Sequence, residues 1–359
     1  MTDDSSGSLG AGRSERLSVG VIGASGYTGA ELLRLLASHP ELRVAYATAD
    51  SNAGAPVTAL YPSLAAVYGD LRYESLDLAA LGGLDVAFVA LPHGESQKLV
   101  PDLVGRVRHV VDLGADFRLP AAPYAQWYGE PHQVPELLDR FAFGLVELFR
   151  DDLRTATHVA APGCYPTATC LALAPLLAAG LVEPTGIVVN AVSGISGAGR
   201  KSDPTYLYTE REQSVVGYGL LTHRHTGEIE HVLGRVARRP VEVLFTPHLV
   251  PMTRGILATC VVRPAVSGLT SEGLLDHFRA FYADEPFVVV TDAPPPTKAT
   301  LGANTAQVTV RADARTGAVL AMGAIDNLVK GAAGQAIQAL NCVLGLPETT
   351  GLARIGVMP

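Results

Sequence analysis

One of the four cysteines stands in a setting suited to covalent chemistry. Cys164 lies in Ala161-Pro162-Gly163-Cys164-Tyr165-Pro166-Thr167, a tight turn that runs into an apolar, helix-like stretch from Ala168 to Ala179. Gly163 permits a sharp backbone turn, and Pro166 suits a first helical turn, where a missing N–H costs nothing. A thiol at a helix N-terminus meets unpaired N–H groups and the positive end of the helix dipole. Both favour the thiolate and lower the pKa from its ordinary value of about 8.5. The pattern predicts a presented nucleophile. Cys170, Cys260 and Cys342 fall on apolar runs and read as small core residues. Without C-x-x-C spacing, neither a zinc site nor a disulfide framework is indicated, and a reducing, cytoplasmic setting is expected.

A nucleophile of this kind needs a proton acceptor. The segment His223-Arg224-His225-Thr226-Gly227-Glu228-Ile229-Glu230 offers one, with a helix expected from Thr226 and His225 near its start. A neutral imidazole there can take and return protons beside sulfur, so His225 is the first choice for acid/base and His223 the second. Glu228, three residues on, is placed to orient the ring. Histidines at i and i+2 do not share a helical face, so a helical metal pair is not expected; a set of His223, His225 and His231 is the weaker alternative, and no metal is predicted.

Two glycine-rich segments can bind anions. Gly23-Ala24-Ser25-Gly26-Tyr27-Thr28-Gly29 follows an apolar strand, Leu17 to Ile22, and precedes a helical pattern, Ala30 to Ser38. Strand, glycine turn and helix in that order predict a dinucleotide site: Gly23 for the turn, Gly26 for close approach of pyrophosphate, Gly29 for helix–sheet packing. Phosphates would rest on the helix N-terminus. The second segment is Ser193-Gly194-Ile195-Ser196-Gly197-Ala198-Gly199-Arg200-Lys201, after a strand from Ile187 to Val192. Its N–H groups and two cations can cradle an anion, although the composition equally suits a mobile surface loop.

The elements that must position these groups follow a βα rhythm in the first half. Leu42 to Thr48, Asp85 to Leu91 and His109 to Leu113 read as strands separated by helix-compatible sequence, which predicts a doubly wound parallel sheet of Rossmann type. The loops Pro92-His93-Gly94 and Gly114-Ala115-Asp116-Phe117-Arg118 would then face the ligand, at the carboxyl ends of strands. Asp50 suits a ribose hydroxyl and NAD, whereas Thr48, Ser51 and Asn52 suit a 2′-phosphate, so these residues leave the cofactor choice open. From Gly186 the character changes. Strands are expected at Val241 to Thr246, Ile256 to Arg263, Gln307 to Arg311 and Ala318 to Ile325, the last two joined by a hairpin; helices are expected at Ser271 to Tyr282 and Asp326 to Leu344. This half predicts an α+β domain with a mixed, largely antiparallel sheet. The domain plan is a disordered polar segment (1–16), a dinucleotide-binding domain (17–163 with 326–359), and a catalytic, substrate and oligomerisation domain (164–325).

A chain of 359 residues, 48% hydrophobic and 17% charged, supports two packed domains. Its net charge of −8 and lack of a basic stripe argue against nucleic-acid binding. No run is apolar enough to span a bilayer, and the N-terminal segment does not read as a signal peptide.

Together these residues resemble the N-acetyl-γ-glutamyl-phosphate reductases of arginine biosynthesis. The likeness runs over nearly the whole chain after the N-terminal segment, through the glycine turn, Leu91-Pro92-His93-Gly94, Gly114 to Leu119, the Cys164 turn, the Ser193–Gly199 loop, His223 to Ile229, Phe245-Thr246-Pro247-His248-Leu249-Val250-Pro251 and Asp326 to Ala336. Gly227 departs from it, since many members carry proline there. The resemblance implies the fold of aspartate-semialdehyde and glyceraldehyde-phosphate dehydrogenases, NADP(H) as cofactor, and a homo-oligomer, dimer or tetramer. It implies catalysis by Cys164 with His225 or His223. It implies cofactor contacts from Gly23, Ser25, Gly26, Tyr27, Thr28, Gly29, Thr48, Ser51, Pro92, Gly94 and Asn327, the last at the nicotinamide carboxamide. Arg118, Ser193, Gly194, Arg200, Lys201 and Glu228 are the candidates to hold substrate, Arg118 foremost because its fork suits phosphate and carboxylate. The alternatives are another acyl-phosphate reductase of this fold, such as aspartate-semialdehyde dehydrogenase or a carrier-linked lysine-pathway relative, or a nucleotide-sensing protein without the chemistry.

Overall fold

The structure, a computed structural model, describes residues 16–200 and 203–359. All but the last residue of the expected disordered segment, and Lys201, lie outside the described residues. Thirteen strands are described: β1 (Leu17–Ile22), β2 (Leu42–Thr48), β3 (Val86–Val89), β4 (His109–Asp112), β5 (Phe141–Phe143), β6 (His158–Ala160), β7 (Ile187–Gly194), β8 (Val216–Gly217), β9 (Val243–Val250), β10 (Ile256–Val262), β11 (Val288–Val290), β12 (Ala306–Ala312) and β13 (Val319–Ile325). The longer helices are α1 (Tyr27–Leu36), α2 (Ser96–Leu103), α3 (Ala121–Tyr128), α4 (Val146–Thr155), α5 (Cys164–Ala178), α6 (His225–Ala237), α7 (Ser271–Phe281) and α8 (Gly334–Val343).

The first six strands form one parallel sheet in the order β2-β1-β3-β4-β6-β5. The chain steps outward from β1 to β2 and then continues on the other side at β3, so the direction of winding reverses between β1 and β3. That reversal opens a crevice above the strand ends. The remaining seven form a mixed sheet, β11-β12-β13-β10-β7-β9-β8, in which β7/β9 and β11/β12 are parallel and the other four pairs antiparallel. The expected fold class is therefore met in both sheets. Four short strands, β5, β6, β8 and β11, were not anticipated; at two or three residues each they are too brief to carry a period-2 pattern.

Helix α5 is apolar all round, every residue from Tyr165 to Leu177 being buried, because it is sandwiched between the mixed sheet and α6. It approaches β13 closely at Gly323, where a Cβ would stand 2.5 Å from the Ala168 carbonyl oxygen. Pro175 within the helix removes the N–H that would have bonded Leu171, and the Tyr282 hydroxyl donates to that carbonyl instead at 2.5 Å. The helix starts at Cys164 itself, ahead of the apolar run, with Pro166 in its first turn as the sequence suggests.

The last helix also differs from expectation. Residues Val329–Ala333 form a π-turn before α8, with Gly331 N–H donating to the Asp326 carbonyl and Ala333 N–H to that of Leu328, both at 2.9 Å. Asp326 sets its start, its carboxylate accepting from the N–H groups of Leu328 (2.8 Å) and Val329 (3.1 Å). Lys330, fully buried, anchors the turn on Glu147 of α4 and on Gln338. Val329, Ala333, Ala336, Ile337 and Leu340 then pack with Val19, Val21 and Phe88, so the C-terminal helix returns to the parallel sheet.

Candidate active site

The turn carrying Cys164 is gripped from both sides. Gly163 N–H donates to Glu228 Oε1 of α6 at 2.7 Å, and its carbonyl accepts from Thr167 N–H (3.0 Å) and Oγ1 (2.9 Å). Glu228 Oε2 lies 3.3 Å from Arg118 Nη1. Arg118 also donates from Nε to the Ala161 carbonyl (2.8 Å) and from Nη2 to the Leu113 carbonyl (2.9 Å). One guanidinium thus ties the ends of β4 and β6 to α6. Only glycine fits at 163: a Cβ would stand 2.6 Å from His225 Nε2 and 2.9 Å from Arg118 Nη1. On the opposite side a Cβ at Gly331 would stand 2.8 Å from Cys164 Cβ. The wide π-turn places that glycine against the nucleophile, a use often made of such turns.

Burial pushes the Cys164 thiol up to about 11. This reverses the expected thiolate. Arg118 and the N–H groups of Tyr165 and Cys164 pull the other way, but the protein walls around the sulfur outweigh them, and the Glu228 charge adds to the upward push. Burial likewise holds His225 well below the ordinary histidine value, with His223, Arg118 and Arg224 adding to it, and brings His223 down to about 4. The resting pair is therefore neutral thiol and neutral imidazole. His223 stands just before α6 and accepts the His225 N–H on Nδ1 at 3.2 Å; the two rings meet edge to face, 4.8 Å apart. Among the described residues, His225 Nδ1 has no hydrogen-bond partner.

Two cavities meet at this pair. The larger, about 710 Å³, is lined by Gly23, Ala49, Ala90, Leu113 and Ala161, each the residue that follows a strand of the parallel sheet. Cys164, His225, Asn327 and Gly331 form its inner end, and Asp50 and Ser51 also line it. A dinucleotide fits its features. Gly23 has φ of +83°, and a Cβ there would meet the Ala90 oxygen at 2.4 Å, while a Cβ on Gly26 would meet only the Gly23 oxygen at 3.6 Å, leaving room for close approach. Helix α1 begins there with no side-chain cap, so its first N–H groups are available to phosphate. The smaller cavity, about 400 Å³, is lined by Cys164, Tyr165, Ser193, Tyr218, His223, Arg224 and His225 among others.

Two family models match separate stretches of this chain. The family model described as semialdehyde dehydrogenase, NAD binding domain, matches residues 18–156, and the model described as semialdehyde dehydrogenase, dimerisation domain, matches residues 164–327. A protein of Desulforudis audaxviator named N-acetyl-gamma-glutamyl-phosphate reductase is 49% identical over 96% of this chain and 100% of its own length. Its namesake in Symbiobacterium thermophilum is 49% identical over 94% and 98%. The chain belongs to the N-acetyl-gamma-glutamyl-phosphate reductase family. Among solved structures, aspartate semialdehyde dehydrogenase II of Vibrio cholerae, complexed with ASA, superposes with a TM-score of 0.70 at 16% identity, covering 92% of this chain and 99% of that one. An aspartate semialdehyde dehydrogenase of Candida albicans, with NADP, gives 0.68 at 16%, covering 92% and 98%. At such identities the likeness is one of fold.

The tertiary structure redistributes several of the residues singled out in this family member's sequence. Cys164, His225, Gly23, Ser25, Gly26, Tyr27, Thr28, Ser51, Pro92, Asn327, Arg118 and Arg200 line the larger cleft, and Ser193 and His223 the smaller cavity. Gly29 packs, a Cβ there meeting the Gly23 oxygen at 2.4 Å. Thr48 does not face the cleft: it is buried, and its hydroxyl accepts the Gly23 N–H at 3.2 Å, holding the glycine turn. Gly94 is also turned away, its N–H donating to both Asp116 oxygens at 3.0 Å. Gly194 lines neither cavity; it is wedged on Arg254, 2.7 Å from where its Cβ would be. Glu228 neither orients His225 nor meets the cavities, since both its oxygens are taken by Gly163 and Arg118. Asn327 precedes the helix it was expected to start, accepting from Gly255 N–H (2.7 Å) and donating to Ser196 Oγ (3.0 Å). Two participants were missed. Gly331 left a signal in its run of small residues; Trp127, the only tryptophan, left none. Its indole occupies the space beside Gly227, 2.1 Å from where a Cβ would be, which accounts for glycine at this position.

Proposed function

We propose that this protein is an NADPH-dependent reductase that converts N-acetyl-γ-glutamyl phosphate to N-acetylglutamate 5-semialdehyde through a thioester on Cys164, in arginine biosynthesis. The observation that carries this reading is that Cys164 and His225 border both cavities, so one sulfur can meet a dinucleotide on one side and an acyl phosphate on the other. As the acyl carbon approaches, His225 takes the thiol proton and sulfur adds to the carbon. The C–O bond to phosphate breaks, phosphate leaves with the electron pair, and a thioester remains. The turn from Gly23 to Gly29 and Asn327 would hold a nicotinamide dinucleotide in the larger cleft, and its chemistry there would be hydride donation to that carbon. His225 protonates the resulting oxyanion, which the N–H groups at the start of α5 stabilise. Collapse of the thiohemiacetal returns the proton to His225, breaks the C–S bond and frees the semialdehyde; the thiolate then regains its proton.

Preference for NADP(H) over NAD(H) belongs to this proposal, supported by the family and by the NADP held in the Candida albicans neighbour. So do a homo-oligomeric state, in keeping with the family's dimerisation domain, a cytoplasmic setting, and the division into a dinucleotide domain (17–163 with 326–359) and a catalytic domain (164–325). No helix of the described residues is long and apolar enough to cross a membrane. The test is phosphate-dependent reduction of NADP by N-acetylglutamate semialdehyde, run beside NAD and beside aspartate semialdehyde. Reduction of NADP with the acetylated substrate is expected. Its absence, or faster reaction with aspartate semialdehyde, refutes the assignment.

A further inference from the structure

The smaller cavity holds a cation with no anion beside it. Arg224 immediately precedes α6 and is exposed; its guanidinium lies over the Tyr128 ring, 5.1 Å from the centroid. Among the described residues it makes no ion pair, and no aspartate or glutamate lines the cavity. Of the other cations named as substrate ligands, Lys201 lies outside the described residues and the two arginines are elsewhere. Arg118 faces the larger cleft with three of its N–H groups held by Ala161, Leu113 and Glu228, and Arg200 also lines that cleft.

We infer that Arg224 recognises the free α-carboxylate of the substrate and so selects N-acylated amino-acid acyl phosphates. The inference rests on the function proposed above. With a dinucleotide in the larger cleft, the part of the substrate beyond its reacting carbon must extend into the smaller cavity. Acetylation removes the charge of the amino group, so the α-carboxylate is the only charge on that part. Among the described residues, a cavity walled by Tyr165, Tyr206 and Tyr218, with Arg224 as its formal cation and no acidic lining, matches a monoanion and offers no counter-charge to a free ammonium group. The Tyr128 ring attracts the guanidinium from one side, and its N–H groups can bind the carboxylate as a bidentate pair.

The experiment compares N-acetylglutamate semialdehyde with its α-carboxamide in phosphate-dependent reduction of NADP, using the unaltered protein, Arg224→Gln and Arg224→Lys. The unaltered protein should favour the carboxylate by about a hundredfold in kcat/KM, the worth of a charge-assisted hydrogen-bond pair. Arg224→Gln should erase that preference mainly through KM, and Arg224→Lys should restore part of it. A preference that survives in Arg224→Gln, or equal rates for acid and amide in the unaltered protein, overturns the inference while leaving the proposed function standing. No turnover of either compound by the unaltered protein overturns the function itself and the inference with it.

Discussion

Glu228 offers the most direct test of how the nucleophile is held. Its carboxylate receives the Gly163 N–H at 2.7 Å and faces Arg118 at 3.3 Å, and the two side chains are only 2% and 8% exposed. Water therefore cannot replace it. Glu228→Ala leaves a buried guanidinium unpaired, which typically costs about 3–5 kcal/mol. Glu228→Gln keeps the shape and an oxygen for Gly163 but loses the charge, for a smaller cost of about 1–3 kcal/mol. Urea unfolding measures both. The sulfur provides a second reading, because the Glu228 charge helps burial hold the thiol at about 11. Removing that charge in Glu228→Gln should lower the thiol pKa and move iodoacetamide alkylation of Cys164 to lower pH. If Glu228→Ala unfolds at the unaltered midpoint, or the alkylation profile of Glu228→Gln does not move, the carboxylate does not hold the turn as described.

Cys164→Ser should abolish reduction while leaving NADPH binding, measured by fluorescence, nearly intact; wild-type turnover in this variant would rule out a thioester. His225→Asn should lower kcat by about a hundredfold or more, the usual worth of positioned proton transfer, and a normal rate would move the role to His223. Because His225 is neutral down to well below the ordinary histidine value, kcat/KM should hold through pH 6.5 and fall only in more acidic buffer; a decline centred at 6.5 or above would contradict the buried imidazole. Gly331→Ala should lower kcat by about a hundredfold through a displacement of Cys164 of about 1 Å, since the new methyl would lie 2.8 Å from Cys164 Cβ. Unchanged kcat in that variant would show that the π-turn does not set the sulfur.

Local chemistry was readable in the sequence wherever the local chain alone fixes structure. Gly23, Gly26 and Gly29 act by the lack of a side chain, and their spacing after an apolar strand specified the turn, the helix start and the close packing that the structure contains. Both sheets followed from the shift between βα alternation and hairpin-linked strands. Thr48 and Gly194 are read as ligand contacts because their types suit anions, and Gly94 because the resemblance implies it; in the structure Thr48 accepts from the Gly23 N–H, Gly94 donates to the Asp116 carboxylate, and Gly194 packs on Arg254. A hydroxyl or N–H does not disclose in sequence whether its partner is a ligand or a neighbouring strand.

The sequence alone determined that Cys164 opens a helix after a glycine turn, because turn geometry and helix initiation depend on neighbours a few residues away. It could not determine the sulfur's protonation. That depends on how much protein surrounds the sulfur and on the charges of Arg118 and Glu228, brought to it from 46 and 64 positions away. Only the tertiary structure turned Glu228 from a partner of His225 into the clasp of the Cys164 turn, tied three Arg118 N–H groups to Ala161, Leu113 and Glu228, and left Arg224 beside the second cavity without an ion pair among the described residues. Burial and electrostatic pairing are properties of the packed chain, and no local pattern encodes them.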